Sequence, residues 1–321
     1  MFDEKLARER IDFLSLLKLT GDFYGKPFEL LPWQKEVIGN VYGTVTEDGR
    51  RQYRYAYLEL PKKNGKTELI AGMALDHCLN DAPSGQIYCC AAEREQASLV
   101  YIAAKQKIEQ DEYLESVMRV VDSKKEIHNI ETGTFIKVLS AEAYSKHGLN
   151  PTVIIFDELH ALRNRGLWDV MTFGSGAARK NQLIWTITTA GDDPNRNTVG
   201  WEQHEYARKV RDGEITDPSW YVKIYGYDGD DIYNESNWYA ANPSLGFTID
   251  IENVRKEALA AQNSESSERL FRWLRLNQWI ATKQIGWLPI TLWDKTKGDW
   301  TRESLRGKPC YMGLTFLQRT T

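Results

Sequence analysis

The stretch that most constrains the fold reads YAYLELPKKNGKT and runs from Tyr55 to Thr67. An apolar, β-prone run leads into a short polar loop that ends in Gly65-Lys66-Thr67, and helix-forming residues follow directly. A strand, a tight loop closing in Gly-Lys-Thr and a helix are the context of a P-loop, whose backbone N–H groups hold phosphate oxygens. In such a loop Lys66 reaches the β- and γ-phosphates and the Thr67 hydroxyl binds Mg²⁺. Leu60 departs from the pattern, because the usual motif opens with glycine there.

A second stretch, 152–158, is a short apolar run that ends in two carboxylates. The apolar residues Val153–Phe156 are typical of a central strand in a parallel sheet that is covered on both faces. Asp157 is predicted to hold Mg²⁺ together with Thr67, and Glu158 to orient and deprotonate the attacking water. Phosphoryl transfer depends mostly on positioning and charge stabilisation, so the two stretches together predict ATP hydrolysis. The alternative is a core strand capped by two solvated acids, with Gly-Lys-Thr as an ordinary helix start.

Composition indicates a soluble globular protein. The 321 residues allow one large domain, or one domain with an appended subdomain, and 42% hydrophobic with 27% charged residues is ordinary for a soluble globular protein. No apolar run approaches the length of a membrane span, and the charged N-terminus lacks a signal-peptide core. The four cysteines have no metal-type spacing and are interpreted as reduced core thiols of a cytoplasmic protein. The net charge of −4 excludes a uniformly basic nucleic-acid-binding surface, but not a local basic stripe.

Strand-like and helix-like patterns alternate along most of the chain. They predict an α/β fold, a P-loop NTPase of the RecA-like type whose mostly parallel sheet is covered by helices on both faces. Predicted strands span 55–60, 86–92, 152–157, 182–189 and 220–225, with short antiparallel strands within 117–140; predicted helices span 1–20, 68–79, 93–110, 167–178 and 198–212, and another starts at Pro32. Beyond the core, 1–230, helices at 250–262 and 265–277 and dense tryptophans predict a small helical lid subdomain, 231–285, followed by a turn-rich bridge, 286–321.

Pro32-Trp33-Gln34 precedes the loop by about thirty residues. This group resembles the adenine-reading glutamine motif of helicase-like ATPases, because a glutamine side chain can both donate to and accept from the adenine edge. Trp33 and Gln34 are therefore predicted to lie on the adenine side of an ATP site. The alternative is an exposed glutamine beside a core tryptophan.

Taken in order, these motifs resemble the ATPase domain of tailed-phage large terminases, the motors that package viral DNA into a procapsid. The matching segments are Leu31–Gln34, Leu60–Thr67, Val153–His160, Thr188–Gly191 and Asn242–Gly246. The resemblance implies an ATP-binding set of Trp33, Gln34, Pro61, Lys62, Lys63, Asn64, Gly65, Lys66 and Thr67, a metal pair of Thr67 and Asp157, and catalytic roles for Glu158, Lys66 and Lys62.

Two further roles follow from the same resemblance. Lys62 stands where the family usually has an arginine that contacts the γ-phosphate, and lysine keeps the charge but not the bidentate fork. Thr188 and Thr189 match the coupling motif, which links loss of the γ-phosphate to movement of the part that grips DNA. The alternative for this pair is two hydroxyls that end a strand.

The family also carries a C-terminal nuclease domain with an acidic metal site, whose first strand usually reads Gly-Leu-Asp. Here Gly313-Leu314 is followed by Thr315, so the metal-binding aspartate is replaced. On this ground the nuclease activity is predicted absent, and 286–321 is predicted to be a bridge with a truncated start of the nuclease domain.

The resemblance also implies partners: double-stranded DNA, a portal protein, a small terminase subunit, and other copies in a ring on the portal, with a monomer in isolation and no membrane. The compartment would be the cytoplasm of the infected bacterial host, with no lasting place in the virion. Candidates for an arginine finger reaching a neighbouring subunit, or for DNA contacts, are Arg94, Lys124, Lys125, Lys146, His147, Arg163, Arg165, Arg179 and Lys180, although a charge cluster is usually a solvated face.

Two other functions fit parts of the pattern. Asp157-Glu158-Leu159-His160 is literally the acidic box of a superfamily 2 helicase, and such an enzyme needs a second RecA-like domain with an arginine motif. The arginines at 269, 272 and 275 lie instead on a predicted helix, which weighs against a helicase. The other alternative is a non-catalytic fragment that binds nucleotide or docks on a partner without turnover.

Overall fold

The computed structural model describes residues 1–140, 149–173, 179, 181–193 and 195–280, together with 303, 304, 306, 307 and 309. The chain divides into two compact units, Met1–Ala281 and Thr282–Thr321. The helices and strands of the described residues lie in the first unit. Several predicted features lie outside the described residues, namely Lys146, His147, Lys180, Cys310, Thr315 and the end of the helix predicted over 167–178.

The order of elements follows the predicted alternation. The strands are β1 (Tyr55–Glu59), β2 (Gln86–Ala91), β3 (Met118–Val121), β4 (Glu126–Asn129), β5 (Phe135–Ser140), β6 (Val153–Asp157), β7 (Leu183–Thr188) and β8 (Trp220–Ile224). The helices are α1 (Glu4–Leu16), α2 (Pro32–Gly43), α3 (Lys66–Asn80), α4 (Arg94–Ile108), α5 (Glu112–Val117), α6 (Gly166–Thr172), α7 (Val199–Arg211), α8 (Glu235–Ala241), α9 (Ile251–Gln262) and α10 (Glu265–Leu274). The short helices α5 and α8 were not predicted, because two turns of mixed polarity give no clear periodic signal.

These strands form one sheet in the order β3-β4-β5-β2-β6-β7-β1-β8. The strands from β5 to β8 along this order pair in parallel, whereas β3 and β4 pair antiparallel with each other and β4 pairs antiparallel with β5. The predicted mostly parallel sheet is therefore confirmed. Strand β7 lies between β1 and β6, so the segments that follow these three strands meet at one edge of the sheet. In open parallel sheets this carboxyl edge is where ligands bind.

Both faces of the sheet are buried, as the apolar runs predicted. All five residues of β6 are buried. The adjacent Cys89 and Cys90 point to opposite faces: Cys89 lies in the large core formed with α2, α3 and α4, and Cys90 in the smaller core formed with α6. Cys78, Cys89 and Cys90 are free thiols. Burial raises the pKa of the Cys89 thiol to about 12, so it stays protonated and acts as an apolar core group.

Helices α8, α9 and α10 pack around a core of their own, which includes Trp238, Leu245, Val254 and Phe271. The Asn234 side chain caps α8 by accepting a hydrogen bond from the Ser236 N–H. The predicted boundaries at 230/231 and 285/286 stay predictions. None of the helices in the described part of the chain has the length and apolar character that a membrane span requires.

Candidate active site

The loop between β1 and α3 has a backbone shape that local sequence alone explains only in part. Gly65 has φ +84° and precedes the first turn of α3, a conformation that glycine adopts without steric cost. Lys63 also has a positive φ, +70°. Among the described residues no side chain caps α3, so the N–H groups of its first turn point to a place where an anion can bind.

Lys66 lies at the centre of this edge. Its buried ammonium donates hydrogen bonds to the Leu60 carbonyl at 3.1 Å and to the Thr189 hydroxyl, and lies 3.4 Å from Glu158 Oε1. The loop after β1, the end of β6 and the end of β7 are therefore joined through one lysine. The structure thus brings together Lys66, Glu158 and Thr189, and the roles predicted for them stay predictions.

Glu158 follows β6 in a left-handed conformation, with φ 51°. Its Oε2 accepts a hydrogen bond from the Thr189 N–H at 3.2 Å and lies 3.2 Å from His160 Nδ1. Burial alone would raise the pKa of Glu158, but the Lys66 charge and the His160 hydrogen bond lower it below its ordinary value. Glu158 is consequently an ionised acceptor held in a fixed orientation.

Asp157, the last residue of β6, is also buried, but its environment differs. Burial raises the pKa of the Asp157 carboxyl, and the charge of Glu158 raises it further. Among the described residues, its Oδ2 has no hydrogen-bond partner. A buried carboxylate oxygen without a partner fits a hard cation such as Mg²⁺, which takes one or two protein oxygens together with substrate phosphates. Thr67, the predicted second ligand, is partly exposed in the first turn of α3.

Thr188 and Thr189 are fully buried at the end of β7. Thr188 Oγ1 accepts a hydrogen bond from the His160 N–H at 3.2 Å and donates to the Thr189 carbonyl at 3.0 Å. Because Thr189 in turn contacts Lys66 and Glu158, this pair lies between the phosphate loop and the segment after β6. The location agrees with the predicted coupling role, which stays a prediction.

Trp33 and Gln34, both predicted to lie on the adenine side of the ATP site, have different surroundings. Trp33 is buried, packs edge-to-face on Tyr225, and donates from Nε1 to Ser244 Oγ at 3.0 Å. Gln34 Oε1 accepts from the Leu31 N–H at 2.8 Å, and Gln34 Nε2 lies 3.9 Å from where a Cβ on Gly65 would be. Gln34 therefore faces the loop, whereas Trp33 faces the core.

Lys62 and Lys63 are exposed. The Lys62 ammonium lies 5.9 Å from the centroid of the Trp273 ring on α10.

The residues predicted to contact DNA or a neighbouring subunit differ in their surroundings. Arg165 pairs with Asp169 and Glu202, and Arg179 donates a hydrogen bond to Asn150. Arg94, Lys124 and Arg163 are exposed. Lys125 donates to the Ser98 hydroxyl.

Sequence reasoning missed Glu59, which is fully buried as the last residue of β1, directly before the loop. Its carboxylate accepts from the Tyr57 hydroxyl at 2.5 Å, from Trp279 Nε1 at 3.2 Å, and lies 2.9 Å from His204 Nδ1. An acid at the end of an apolar strand was the available signal. Its distant partners could not be predicted, because His204 comes from α7 and Trp279 from the segment after α10.

Sequence reasoning also assigned no role to the segment that begins at Asn242. In the structure, Asn242 and Ser244 are buried and hydrogen-bond directly to Asn64 of the loop. The only signal was the presence of the segment among the matching motifs.

The sheet is mostly parallel, the phosphate loop follows β1, and the two acids stand at the end of β6. Strand β7 lies between β1 and β6. This arrangement defines a P-loop NTPase. Comparison with known families is more specific. The model described as "Terminase large subunit, ATPase domain" matches residues 32–209, and the model described as "Terminase large subunit, endonuclease domain" matches residues 214–320. The chain belongs to the terminase large subunit family.

Individual relatives agree with this assignment. The large terminase subunit of Enterobacteria phage HK97 is 32% identical over 267 residues, covering 82% of this chain and 50% of that protein. Its crystal structure superposes with a TM-score of 0.74 at 28% identity, covering 87% of this chain and 56% of that one. The large terminase of a thermophilic bacteriophage, solved in complex with ADP, has a TM-score of 0.50 at 12% identity and covers 78% and 54% of the two chains. The chain thus spans about half the length of these relatives.

One prediction is wrong. The nuclease part was predicted to be missing, yet the endonuclease-domain model matches residues 214–320. The sequence argument rested on a single position, Thr315, at one expected strand. The matched region starts about a hundred residues earlier, with β8 and the helices α8–α10. The replacement of one metal-binding residue, at Thr315, therefore does not show whether the endonuclease region is present.

Proposed function

We propose that this chain is the ATP-hydrolysing motor part of a viral DNA-packaging terminase and uses ATP to translocate double-stranded DNA into a procapsid. The observation that carries the proposal is the meeting of Lys66, Glu158 and Thr189 at the carboxyl edge of the sheet, beside the unpartnered oxygen of Asp157. The ADP complex of the thermophilic phage terminase supports nucleotide as the ligand.

In this proposal the phosphates of ATP take the place that Lys66 now shares with Glu158. Lys66 pairs with the β- and γ-phosphates, and the first turn of α3 supplies backbone N–H groups. Lys62, an exposed residue of the loop, contacts the γ-phosphate as a point charge. Gln34, which faces Gly65, reads the adenine edge with its amide.

Glu158 acts on the attacking water. Its pKa is now lowered by the Lys66 charge, 3.4 Å away. When Lys66 pairs with phosphate instead, that effect weakens and the pKa of Glu158 rises, which makes the carboxylate a better base. The Thr189 N–H and His160 keep it oriented meanwhile. Substrate binding therefore prepares the base.

Thr67 and Asp157 would hold Mg²⁺, since one is a hydroxyl at the start of α3 and the other a buried carboxylate with a free oxygen. Held by these two residues, Mg²⁺ would supply positive charge to the phosphates of the substrate. Among the described residues no group of three or more His, Cys, Asp or Glu side chains is placed to hold a metal ion, and a site completed by substrate phosphates needs none.

The remaining proposals concern the assembly. We infer double-stranded DNA, a portal protein, a small terminase subunit and further copies of this chain in a ring as partners, in the cytoplasm of the infected host. Arg94 and Arg163 are the better candidates for reaching a neighbouring site, because both are exposed, whereas Arg165 is held by two carboxylates. An arginine supplied in trans is worth roughly 10³–10⁵ in rate, so an isolated monomer should be a slow ATPase.

The experiment is ATP turnover with and without double-stranded DNA, on the wild-type chain, Glu158→Gln and the control Glu252→Gln, which changes an exposed acid on α9. Glu158→Gln should bind ATP while losing turnover by about 10²–10⁴-fold, because the water loses its base. Glu252→Gln should match the wild type. Turnover of Glu158→Gln at the wild-type rate would contradict the assignment, and strand separation coupled to hydrolysis would favour a helicase.

The endonuclease-domain match favours DNA cleavage as a second candidate function. A two-metal nuclease needs carboxylates that converge on ions about 4 Å apart. Incubation of supercoiled plasmid with Mg²⁺ or Mn²⁺ tests this function. Cleavage that co-purifies with the chain and is abolished by substitutions within 214–320 would establish it, and intact plasmid under both ions would contradict it.

A further inference from the structure

The phosphate loop is held from outside by residues 242–248, here termed the buttress segment. The Ser244 N–H donates to Asn64 Oδ1 at 3.0 Å, and the Ser244 hydroxyl donates to the Asn64 carbonyl at 3.1 Å. Asn64 Nδ2 donates to Asn242 Oδ1 at 3.2 Å. All three residues are almost completely inaccessible to solvent, so these bonds form away from competing water.

A fourth bond reaches the most unusual residue of the loop. Thr248 Oγ1 donates to the carbonyl of Lys63 at 2.9 Å. Lys63 has φ +70°, a conformation that residues with a side chain rarely adopt unless the surroundings impose it. The buttress segment thus contacts the loop at both Lys63 and Asn64.

The buttress segment is itself fixed to the helical subdomain. Asn242 Nδ2 donates to the Trp238 carbonyl at 2.9 Å and to the Arg275 carbonyl at 2.7 Å, which joins α8 to the end of α10. The Leu245 side chain lies in the core of that subdomain. Trp33 Nε1 donates to Ser244 Oγ, so α2 is tied to the same point.

The side chain of Asn64 is fully used by these contacts. Its amide donates to the Pro61 carbonyl and to Asn242, and its oxygen accepts from Ser244. Asn64 therefore acts on a phosphate only indirectly, by fixing the loop backbone. The loop also lacks its opening glycine, since Leu60 fills that position and is completely buried. A loop with an atypical start has more need of support from elsewhere.

We propose that the buttress segment holds the loop in its phosphate-binding shape, and that Asn242 and Ser244 are positioning residues for nucleotide binding. This inference rests on the proposed function of the loop as a nucleotide site. Because linkage is reciprocal, nucleotide that favours the held loop also favours attachment of the helical subdomain to it. The segment is therefore a route by which nucleotide occupancy reaches α8 and α10.

The test compares Ser244→Ala with Ser264→Ala. The first removes a hydroxyl that contacts the loop; the second removes the hydroxyl that caps α10 in the same subdomain by accepting from the Ser267 N–H. The dissociation constant for ADP should rise about tenfold in Ser244→Ala and stay within about twofold of wild type in Ser264→Ala, whatever their melting temperatures. The KM for ATP should follow, with kcat changed less.

Hydrogen exchange of the nucleotide-free chains supplies an independent readout. Backbone amides of residues 62–65 should exchange faster in Ser244→Ala than in the wild type, and at the wild-type rate in Ser264→Ala. Equal weakening of ADP binding in both variants, or ADP binding and loop exchange unchanged in Ser244→Ala, would overturn the inference alone. A wild-type chain that binds neither ADP nor ATP would overturn the proposed function and this inference with it.

Discussion

Helix α3 has a buried charge cluster at each end, and the two differ in one respect. The active-site cluster at its start consists of Lys66, Asp157, Glu158 and Thr189. The rear cluster at its end consists of Arg10 on α1, Tyr42 on α2, and Asp76, His77 and Asp81. Both combine a cation with two acids, and both join elements that are distant in the sequence.

The pKa shifts do not separate the two clusters. Burial raises the pKa of Asp76, whereas the pKa of Asp81 is lowered by His77 and Arg10 in spite of burial. The active-site cluster shows the same arrangement, with the pKa of one acid raised and that of the other lowered. Shifted pKa values thus mark buried charge clusters in general, whether structural or functional.

The hydrogen bonds do separate them. Asp76 accepts from Arg10 Nη1 and from Asn80, both at 2.7 Å, and Asp81 accepts from Arg10 Nη2 at 2.8 Å and contacts His77 at 2.6 Å. Every carboxylate oxygen of the rear cluster has a partner. Asp157 Oδ2 has none within the part of the chain that the structure describes. A satisfied cluster holds the fold together, whereas an unsatisfied buried oxygen is a place for a ligand.

The largest expected effect tests the structural half of this comparison. Arg10→Ala leaves the buried carboxylate of Asp76 and the half-buried carboxylate of Asp81 without their shared partner and should lower the free energy of unfolding by about 3–5 kcal/mol. Urea denaturation measures it. Arg8→Ala, an exposed change on the same helix, should cost no more than about 0.5 kcal/mol. The kcat for ATP should be unchanged while Arg10→Ala is folded; a kcat reduced more than tenfold would show that the rear cluster also serves catalysis.

A smaller effect tests the functional half. Asp157→Asn should reduce Mg²⁺-dependent ATP turnover about a hundredfold, because a charged metal ligand becomes neutral. Its free energy of unfolding should stay level or rise, since a buried negative charge beside Glu158 is removed. Asp76→Asn is the matched change at the other end of α3 and should destabilise the fold, because it weakens the pairing with Arg10. Equal destabilisation by both substitutions would remove the distinction between the clusters.

The sequence predicted these two ends unequally. The loop, Lys66 and the acids after β6 were found because each is encoded within a few consecutive residues. The rear cluster was not, because Arg10 and Asp76 meet only when α1 packs on α3, and nothing in a helical pattern says which charged residue turns inward. Asn64 and Ser244 were missed as a pair for the same reason. The prediction for the endonuclease region was wrong because it relied on one residue, Thr315, whereas the family match extends over residues 214–320.

Gln34 combines a structural contact and a predicted functional one in a single side chain. Its oxygen accepts from the Leu31 N–H, which is a structural role at the start of α2, and its amide nitrogen faces the loop near Gly65. Gln34→Glu keeps the acceptor and removes the donor. We expect little change in stability and a fall of about fivefold in the preference for ATP over GTP, expressed as a ratio of kcat/KM values.

The ratio is the informative quantity, because the new negative charge repels the phosphates of both nucleotides equally and that repulsion cancels. Gln34→Ala supplies the opposite case: it removes both the cap and the amide, so it should lose preference and also destabilise α2 by about 1 kcal/mol. If Gln34→Glu keeps the full preference for ATP, the amide does not read adenine. In that case Gln34 resembles Asp76 and Asp81, whose polar groups stabilise the fold. Asp157 is then the residue near the start of α3 whose polar side chain is left for a ligand.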